Sequence, residues 1–395
     1  MNAAWFKLAW CRPASWLPVL LLVATNSVLG ETKLGSSLGD TRAGIVTTAE
    51  EQAMGRAFVA AARGQMRFID DPLLVNYIET LGQRLAAGLN GDTDHLRFFL
   101  ISNKLINAFA APGGRLAVFT GLVLTTRTEA ELASVMAHEL AHVAQRHLPR
   151  MMERARQRQL PATAGVLAAI LLGGQAGAAA MAATSGAALS DQLRYNREYE
   201  READALGLMI LTGAGYPASA MIDFLGRLDQ ENRLQAAGAP EYLRTHPLTQ
   251  NRLALVEGRL RQYPEFLFEP SLDYHHARAR MGAVFGDDAD KVAGAFTHDM
   301  RSDNPVVARA ARYGQLLAQV QLGDHTTAAA NAQELARDYP DYPPYVIALS
   351  QALLAGGLAE DAVSVFQGLP DHACTSPVVA YYLADALMKA GHLAD

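Results

Sequence analysis

Cysteine is almost missing from this chain: its 395 residues contain Cys11 and Cys374 and no others, which excludes a disulfide-stapled fold. The three tryptophans fall at positions 5, 10 and 16. Charged residues make up only 19% against 50% apolar, so a charge-rich disordered chain is excluded and a packed core is expected. The formal net charge of -6 leaves no basic surplus for nucleic acid, and none is expected as a partner. Between positions 162 and 189 charge is absent altogether, and Ala, Gly, Leu and Met dominate. By length this run could cross a bilayer. Its glycines at 165, 173, 174, 177 and 186 argue against one clean helix, and its alanines keep it weakly hydrophobic. The favoured reading is a helical hairpin that forms a lid over a site or touches a membrane surface; a true span is the alternative.

What is present begins with an export signal. Lys7 and Arg12 precede an apolar run over 16–24, and Val28-Leu29-Gly30 supplies the small residues a signal peptidase reads. Residues 1–30 are therefore expected to be a cleaved signal peptide, with an uncleaved anchor as the alternative. Cleavage after Gly30 removes all three tryptophans and Cys11, leaving Cys374 as a single thiol, read as a small buried apolar residue.

The chemistry lies at His138-Glu139-Leu140-Ala141-His142, an H-E-x-x-H motif inside an apolar helical pattern of Ala133, Met136, Ala137, Leu140 and Val143. Histidines four apart on a helix point from one face toward a common point and can take two corners of a zinc tetrahedron. Glu139 beside them can accept a proton from an activated water. A second segment supplies what such a site lacks. Among the charges after Asp191, Glu200 and Asp204 stand four apart, and Ala203, Leu206, Met209 and Ile210 run as an apolar stripe. Glu200 is the expected third ligand, and Asp204 the expected acceptor for the second ring N-H of a ligand histidine. His147 is the alternative third ligand, but the glycine that an extended H-E-x-x-H-x-x-G-x-x-H site needs is absent: Gln145 and Leu148 flank the region.

Around the motif, helices are expected over 47–64, with Glu50 and Glu51 in its first turn, and over 72–89. The period then changes to a small sheet: a strand through Leu96, Phe98, Leu100 and Ile101, the stretch Asn107-Ala108-Phe109-Ala110, the turn Pro112-Gly113-Gly114, and a strand through Leu116, Val118 and Thr120. Asn107, Ala108, Phe109 and Ala110 are the candidate edge strand for holding an extended peptide by main-chain hydrogen bonds. The motif helix is followed by a basic section through Arg150, Arg154, Arg156 and Arg158, and a further helix is expected to start near Asp191.

With these residues assembled, the chain resembles the zinc metallopeptidases that include the CAAX prenyl protease and the HtpX heat-shock protease. H-E-x-x-H at 138–142 and E-x-x-A-D at 200–204 match the paired signatures of that family, and Asn-Ala-Phe with Pro-Gly-Gly matches its edge strand. The resemblance covers about 45–260 and is nearest to periplasmic members with helical repeats. It implies a gluzincin fold holding one Zn2+ per chain, a periplasmic location, peripheral to a membrane, and peptidase activity on defective outer-membrane proteins. It also implies chaperone-like help in barrel assembly. Through Thr245-His246-Pro247 it implies that His246 can take the fourth zinc position and hold the site silent. Arg252, at a spacing the family shares, is implied as an oxyanion or structural residue.

Beyond about Pro270 the chain turns to alanine-rich helices. Gly323, Gly357 and Gly391 stand 34 residues apart, as do Ala318, Ala352 and Ala386, and likewise Ala328 and Ala362. That is the tetratricopeptide period, in which small residues let paired helices pack closely. An earlier, less regular unit is expected over 274–300 with Gly286 as its turn. The series is cut short at Asp395, and further repeats are expected beyond it. The expected fold is thus mainly α: a gluzincin metalloprotease domain with a small β-sheet over 31–265, then an α-solenoid of tetratricopeptide-like repeats over 270–395. The expected partners are unfolded or misassembled outer-membrane proteins and the barrel assembly machinery, met through the repeats, with membrane-surface contact through 162–189. The rival function is an assembly chaperone whose protease site is normally shut.

Overall fold

The computed structural model describes residues 46–89, 93–157, 186–234, 240–265, 267–286 and 288–392, all within one compact unit. Helix α1 (Thr48–Arg63) opens on a capping box: Thr47 Oγ1 accepts from the Glu50 backbone, and the Glu50 carboxylate accepts from the Thr47 N-H at 2.8 Å. Helix α2 (Pro72–Ala86) is capped by the Asp71 side chain and has proline in its first turn. It ends before the expected position 89 and buries Leu74, Ile78, Leu81 and Leu85. Strands β1 (Arg97–Ile101), β2 (Ala108–Ala111) and β3 (Arg115–Phe119) form a sheet in the order β1-β3-β2, with β1 parallel and β2 antiparallel to β3. Among the described residues β2 is therefore an edge. Thr120 already belongs to the short helix α3 (Thr120–Thr125).

Helix α4 (Glu129–Ala144) carries the H-E-x-x-H motif and is buried all round from Glu129 to Ala141. A helix wrapped on every side brings its polar residues into the core, where each needs a partner. The chain then breaks at Arg146, a non-glycine residue with φ 53, before α5 (His147–Gln157). Helix α6 (Gly186–Gly213) packs along α4. It begins before the expected Asp191, so the last residues of the 162–189 segment are helical; positions 158–185 lie outside the described residues, as does the signal segment. The apolar face of α6 runs through Ala203, Leu208, Ile210 and Leu211, whereas Met209, expected inside, is 61% exposed. The helical angle explains the correction: Leu208 and Leu211 share the face of Asp204. Helices α7 (Ser219–Leu234), α8 (Glu241–Thr245) and α9 (Gln250–Leu260) complete this part. Among the described residues no helix is long and apolar enough to cross a membrane.

The remaining helices are α10 (Leu272–Phe285), α11 (Ala289–Asp299), α12 (Pro305–Leu322), α13 (His325–Asp338), α14 (Pro343–Ala355), α15 (Ala359–Ser364), α16 (Asp371–Cys374) and α17 (Pro377–Ala390). The 34-residue spacing has a structural counterpart. Gly323, Gly357 and Gly391 all take left-handed φ, at 86, 80 and 88°, where a side chain would be strained. The residue after each donates its N-H to a carbonyl of the preceding helix: Asp324 to Gln319, Leu358 to Leu353 and His392 to Leu387. Ala318, Ala352, Ala386, Ala328 and Ala362 are fully buried, so any larger side chain there would push helices apart. The turn at Gly286 has φ -70° and is not of this kind. Cys374 is exposed, against the expectation of burial. In its one-turn helix Ala373 takes the inward position.

Candidate metal centre

Two helix contacts build the centre. On α4, the rings of His138 and His142 project together, their Nε2 atoms 3.0 Å apart. On α6, Glu200 and Asp204 face them. Glu200 reaches His138 Nε2 at 3.3 Å and His142 Nε2 at 3.5 Å, and Asp204 meets His138 Nδ1 at 3.1 Å. The helices approach closely at Gly207, where an added Cβ would stand 3.2 Å from the His138 Cα. A third segment, just after α8, brings His246, whose Nδ1 is 3.0 Å from Glu200 and whose Nε2 is 3.2 Å from Glu139. Helix α8 is itself pinned to the approach of β2, because the Tyr242 N-H donates to the Ile106 carbonyl.

His138, His142, Glu200 and His246 each offer a ligand atom, all within 4.8 Å of one another. Ligands about 2.0–2.1 Å from a tetrahedral zinc lie roughly 3.3–3.4 Å apart. The two imidazole nitrogens stand 3.0 Å apart, and one Glu200 oxygen lies 3.3 Å from His138 and the other 3.5 Å from His142, all close to that spacing. Their chemistry fits too: two imidazole nitrogens aimed at each other repel unless a proton or a cation lies between them. Buried oxygens of Glu139 and Glu200 also lack a well-directed hydrogen bond.

The electrostatics divide the groups. Burial would lower the His138 pKa, but its bonds to Asp204 and Glu200 outweigh this and push it up to about 10. Burial dominates at His142 and pulls it down to about 3. Desolvation would raise Glu200, yet His246 and Arg252 hold it well below the usual carboxylate range. Glu139 is raised by burial, opposed by His246 and His138 and by the nearby Ala110 backbone of β2. A basic carboxylate thus sits beside the candidate metal-ligating pair and against the edge strand. This is the arrangement a proton carrier needs.

The structure brings together every candidate of the motif pair. Arg252 grips both α6 acids: Nε and one terminal nitrogen reach the two Asp204 oxygens at 2.8 Å each, and Nη1 meets Glu200 at 2.9 Å and the Pro247 carbonyl at 2.9 Å. That engagement favours the structural reading of Arg252 over an oxyanion role. Phe109 and Ala110 line one cavity of about 120 Å3 with Glu139, His142, Glu200 and His246. Ala108 and Asn107 are wholly buried, and the Asn107 side-chain amide has no hydrogen-bond partner among the described residues. His147 stands outside the four-ligand cluster. Sequence reasoning missed Tyr242, whose ring packs 4.8 Å from that of His246; an aromatic four residues before a loop histidine carries no signal of its own.

The chain is similar to known proteins. Residues 72–260 match Peptidase family M48. A Vibrio cholerae relative is 38% identical over 338 residues, covering 84% of this chain and 69% of that protein. The beta-barrel assembly-enhancing protease of Escherichia coli is 33% identical over 91% of this chain and 73% of its own length. The mitochondrial metalloendopeptidase OMA1 of Arabidopsis thaliana is 32% identical over 40% of this chain and 30% of its own length. The chain belongs to Peptidase family M48 and is a metallopeptidase.

Proposed function

We propose that this chain is a periplasmic zinc endopeptidase, carrying one zinc ion and acting on misfolded or stalled outer-membrane proteins. In this reading 1–30 is a signal peptide, 31–265 the peptidase domain and 270–395 a set of tetratricopeptide-like repeats that meet substrates or the barrel assembly machinery. The 162–189 segment is assigned to membrane-surface contact. The name beta-barrel assembly-enhancing protease, borne by the Escherichia coli and Yersinia pestis relatives, supports the substrate class and the location. The carrying observation is the Glu139 carboxylate set beside His138, His142 and Glu200.

His138, His142 and Glu200 would hold zinc, which supplies a Lewis acid that makes water more acidic and polarises a peptide carbonyl. Glu139, with its raised pKa, takes the proton of the attacking water and returns it to the leaving amine. Asp204 fixes the ring of His138 through Nδ1, and Arg252 fixes Asp204. An extended substrate would pair with β2, whose Ala110 lines the same cavity as Glu139 and so brings the strand to the proton carrier. The test is Glu139→Gln: zinc content unchanged, and cleavage of an unfolded barrel protein reduced by about 10²–10⁴-fold. Undiminished cleavage with zinc bound would refute the mechanism.

A second reading, an assembly factor with a shut site, draws on His246. This residue closes on both Glu139 and Glu200, and the remaining cavity of about 120 Å3 is well below the roughly 300–1,000 Å3 of ordinary ligand pockets. Rescue of barrel assembly by the Glu139→Gln protein would favour it.

A further inference from the structure

His147 has no part in the steps above, yet it is only 2% exposed and both its ring nitrogens are engaged. Its Nδ1 lies 2.8 Å from Nδ1 of His142, and its Nε2 lies 3.0 Å from Glu202. Arg150 meets the same Glu202 oxygen at 2.8 Å. The His147 ring stacks on Tyr199, with centroids 4.4 Å apart, and the Arg150 guanidinium lies over the same Tyr199 ring, 4.7 Å from its centroid.

The backbone makes this contact possible. Along one continuous helix, residues five apart point about 140° away from each other. Here the left-handed Arg146, at φ 53, ends α4 and folds the first turn of α5 back, so that His147 faces His142. The side chain of Arg146 is anchored at the far end, 2.8 Å from the Val46 carbonyl and 3.1 Å from Glu51. A non-glycine residue held in a disfavoured conformation points to a geometry that the surrounding structure enforces.

We propose that His147 is a positioning residue for the metal ligand His142. His142 turns Nε2 toward His138 and Glu200, so its proton belongs on Nδ1. That N-H donates to His147 Nδ1, and His147 Nε2-H donates to Glu202, which Arg150 holds. His138 has a carboxylate directly behind it in Asp204. His142 has one at a remove, with His147 as the link. Both rings are thereby held with a bare Nε2 toward the metal. The inference rests on the metal-site reading above. A packing role against Tyr199 alone does not require two ring nitrogens at 2.8 Å, a spacing that places a shared proton between them.

The test measures metal affinity of the full chain by chelator competition with zinc, together with the visible absorption of the cobalt-substituted protein. His147→Phe keeps an aromatic ring on Tyr199 and removes both nitrogens. It is expected to weaken zinc binding about 10–100-fold and to shift the cobalt bands, with little change in far-UV circular dichroism. His147→Asn, which returns an acceptor near the Nδ1 position, should recover part of the affinity. Glu202→Ala changes a side chain that is 41% exposed and keeps the question open if His147→Phe does not fold; it should weaken zinc binding about threefold or more. Zinc affinity within twofold of wild type in either folded variant would overturn the proposal. A wild-type chain that binds no zinc would instead sink the metal-site reading, and this inference with it.

Discussion

His246 is the residue on which access to the centre turns. Its two nitrogens touch Glu200 and Glu139, the proposed third ligand and the proposed proton carrier, so the conformation seen here cannot also admit water and a substrate carbonyl between them. Removing the imbalance is a matter of population: if the loop is held shut by about 1.4 kcal/mol, only about a tenth of molecules are competent. His246→Ala should raise kcat/KM on an unfolded barrel protein roughly tenfold, with zinc still bound by His138, His142 and Glu200. A drop in activity would mean that His246 serves the reaction. At this scale the sequence is informative where spacing fixes direction. The four-residue steps 138–142 and 200–204 could be read because helical residues four apart share a face. His246 lies on a loop, where no period operates, and it could be read only through resemblance. The left-handed turn at Arg146 left no mark at all, because arginine carries no preference for that conformation.

Between elements, the decisive contact is α4 against α6. A helix pair normally stands 8–10 Å apart, set by the side chains at the crossing. At Gly207 that spacer is reduced to hydrogen, and the His138 backbone comes close enough that a Cβ would sit 3.2 and 3.3 Å from its Cα and N. Glu200 and Asp204 lie two turns and one turn earlier on the same helix, so their reach to the histidines depends on this approach. Since α4 is enclosed on all sides, it has little room to give. Gly207→Ala is therefore expected to cost about 1–3 kcal/mol in denaturant unfolding and to weaken zinc binding at the same time. Loss of stability with unchanged zinc affinity would show that the ligands follow the shift. The elements were largely foreseeable, since caps, prolines and alternating apolar positions mark α1, α2 and the sheet. Their ends were not: α6 begins earlier than its charge pattern suggests, because uncharged Gly186 to Leu189 are compatible with helix as well as with loop. Cys374 was misplaced because composition sets an average burial, whereas its one-turn helix lets only Ala373 face inward.

Across the molecule, the first helix after Pro270 shares the core of the peptidase elements, while the later helices have core clusters of their own. Tyr274, Ala277 and Met281 of α10 belong to the cluster that holds α2, α4 and α6 together. Deleting 270–395 would therefore strip the peptidase core, and the Glu139→Gln protein is the cleaner separation of chaperone from protease. The polar counterpart of this joint is Arg280. Its side chain is 3% exposed, bonded to Asp71 at the start of α2, to Tyr313 on α12, to Gln351 on α14 and to Tyr382 on α17. One guanidinium thus bonds acceptors from four helices, and its removal would leave the part-buried Asp71 carboxylate without its cation. Breaking a buried ion pair by removing one member typically costs about 3–5 kcal/mol, because the other charge stays behind undischarged. Arg280→Met, which keeps much of the volume, is expected to destabilise the chain by that amount. Adding Asp71→Asn should restore part of the loss, since the amide can still cap α2 while no charge remains buried. If the joint is shared as the contacts indicate, the single variant should lower the unfolding midpoint of peptidase and repeat helices together, followed by circular dichroism and by zinc release. Two separated transitions, with zinc release unmoved, would show that Arg280 stabilises the repeats alone.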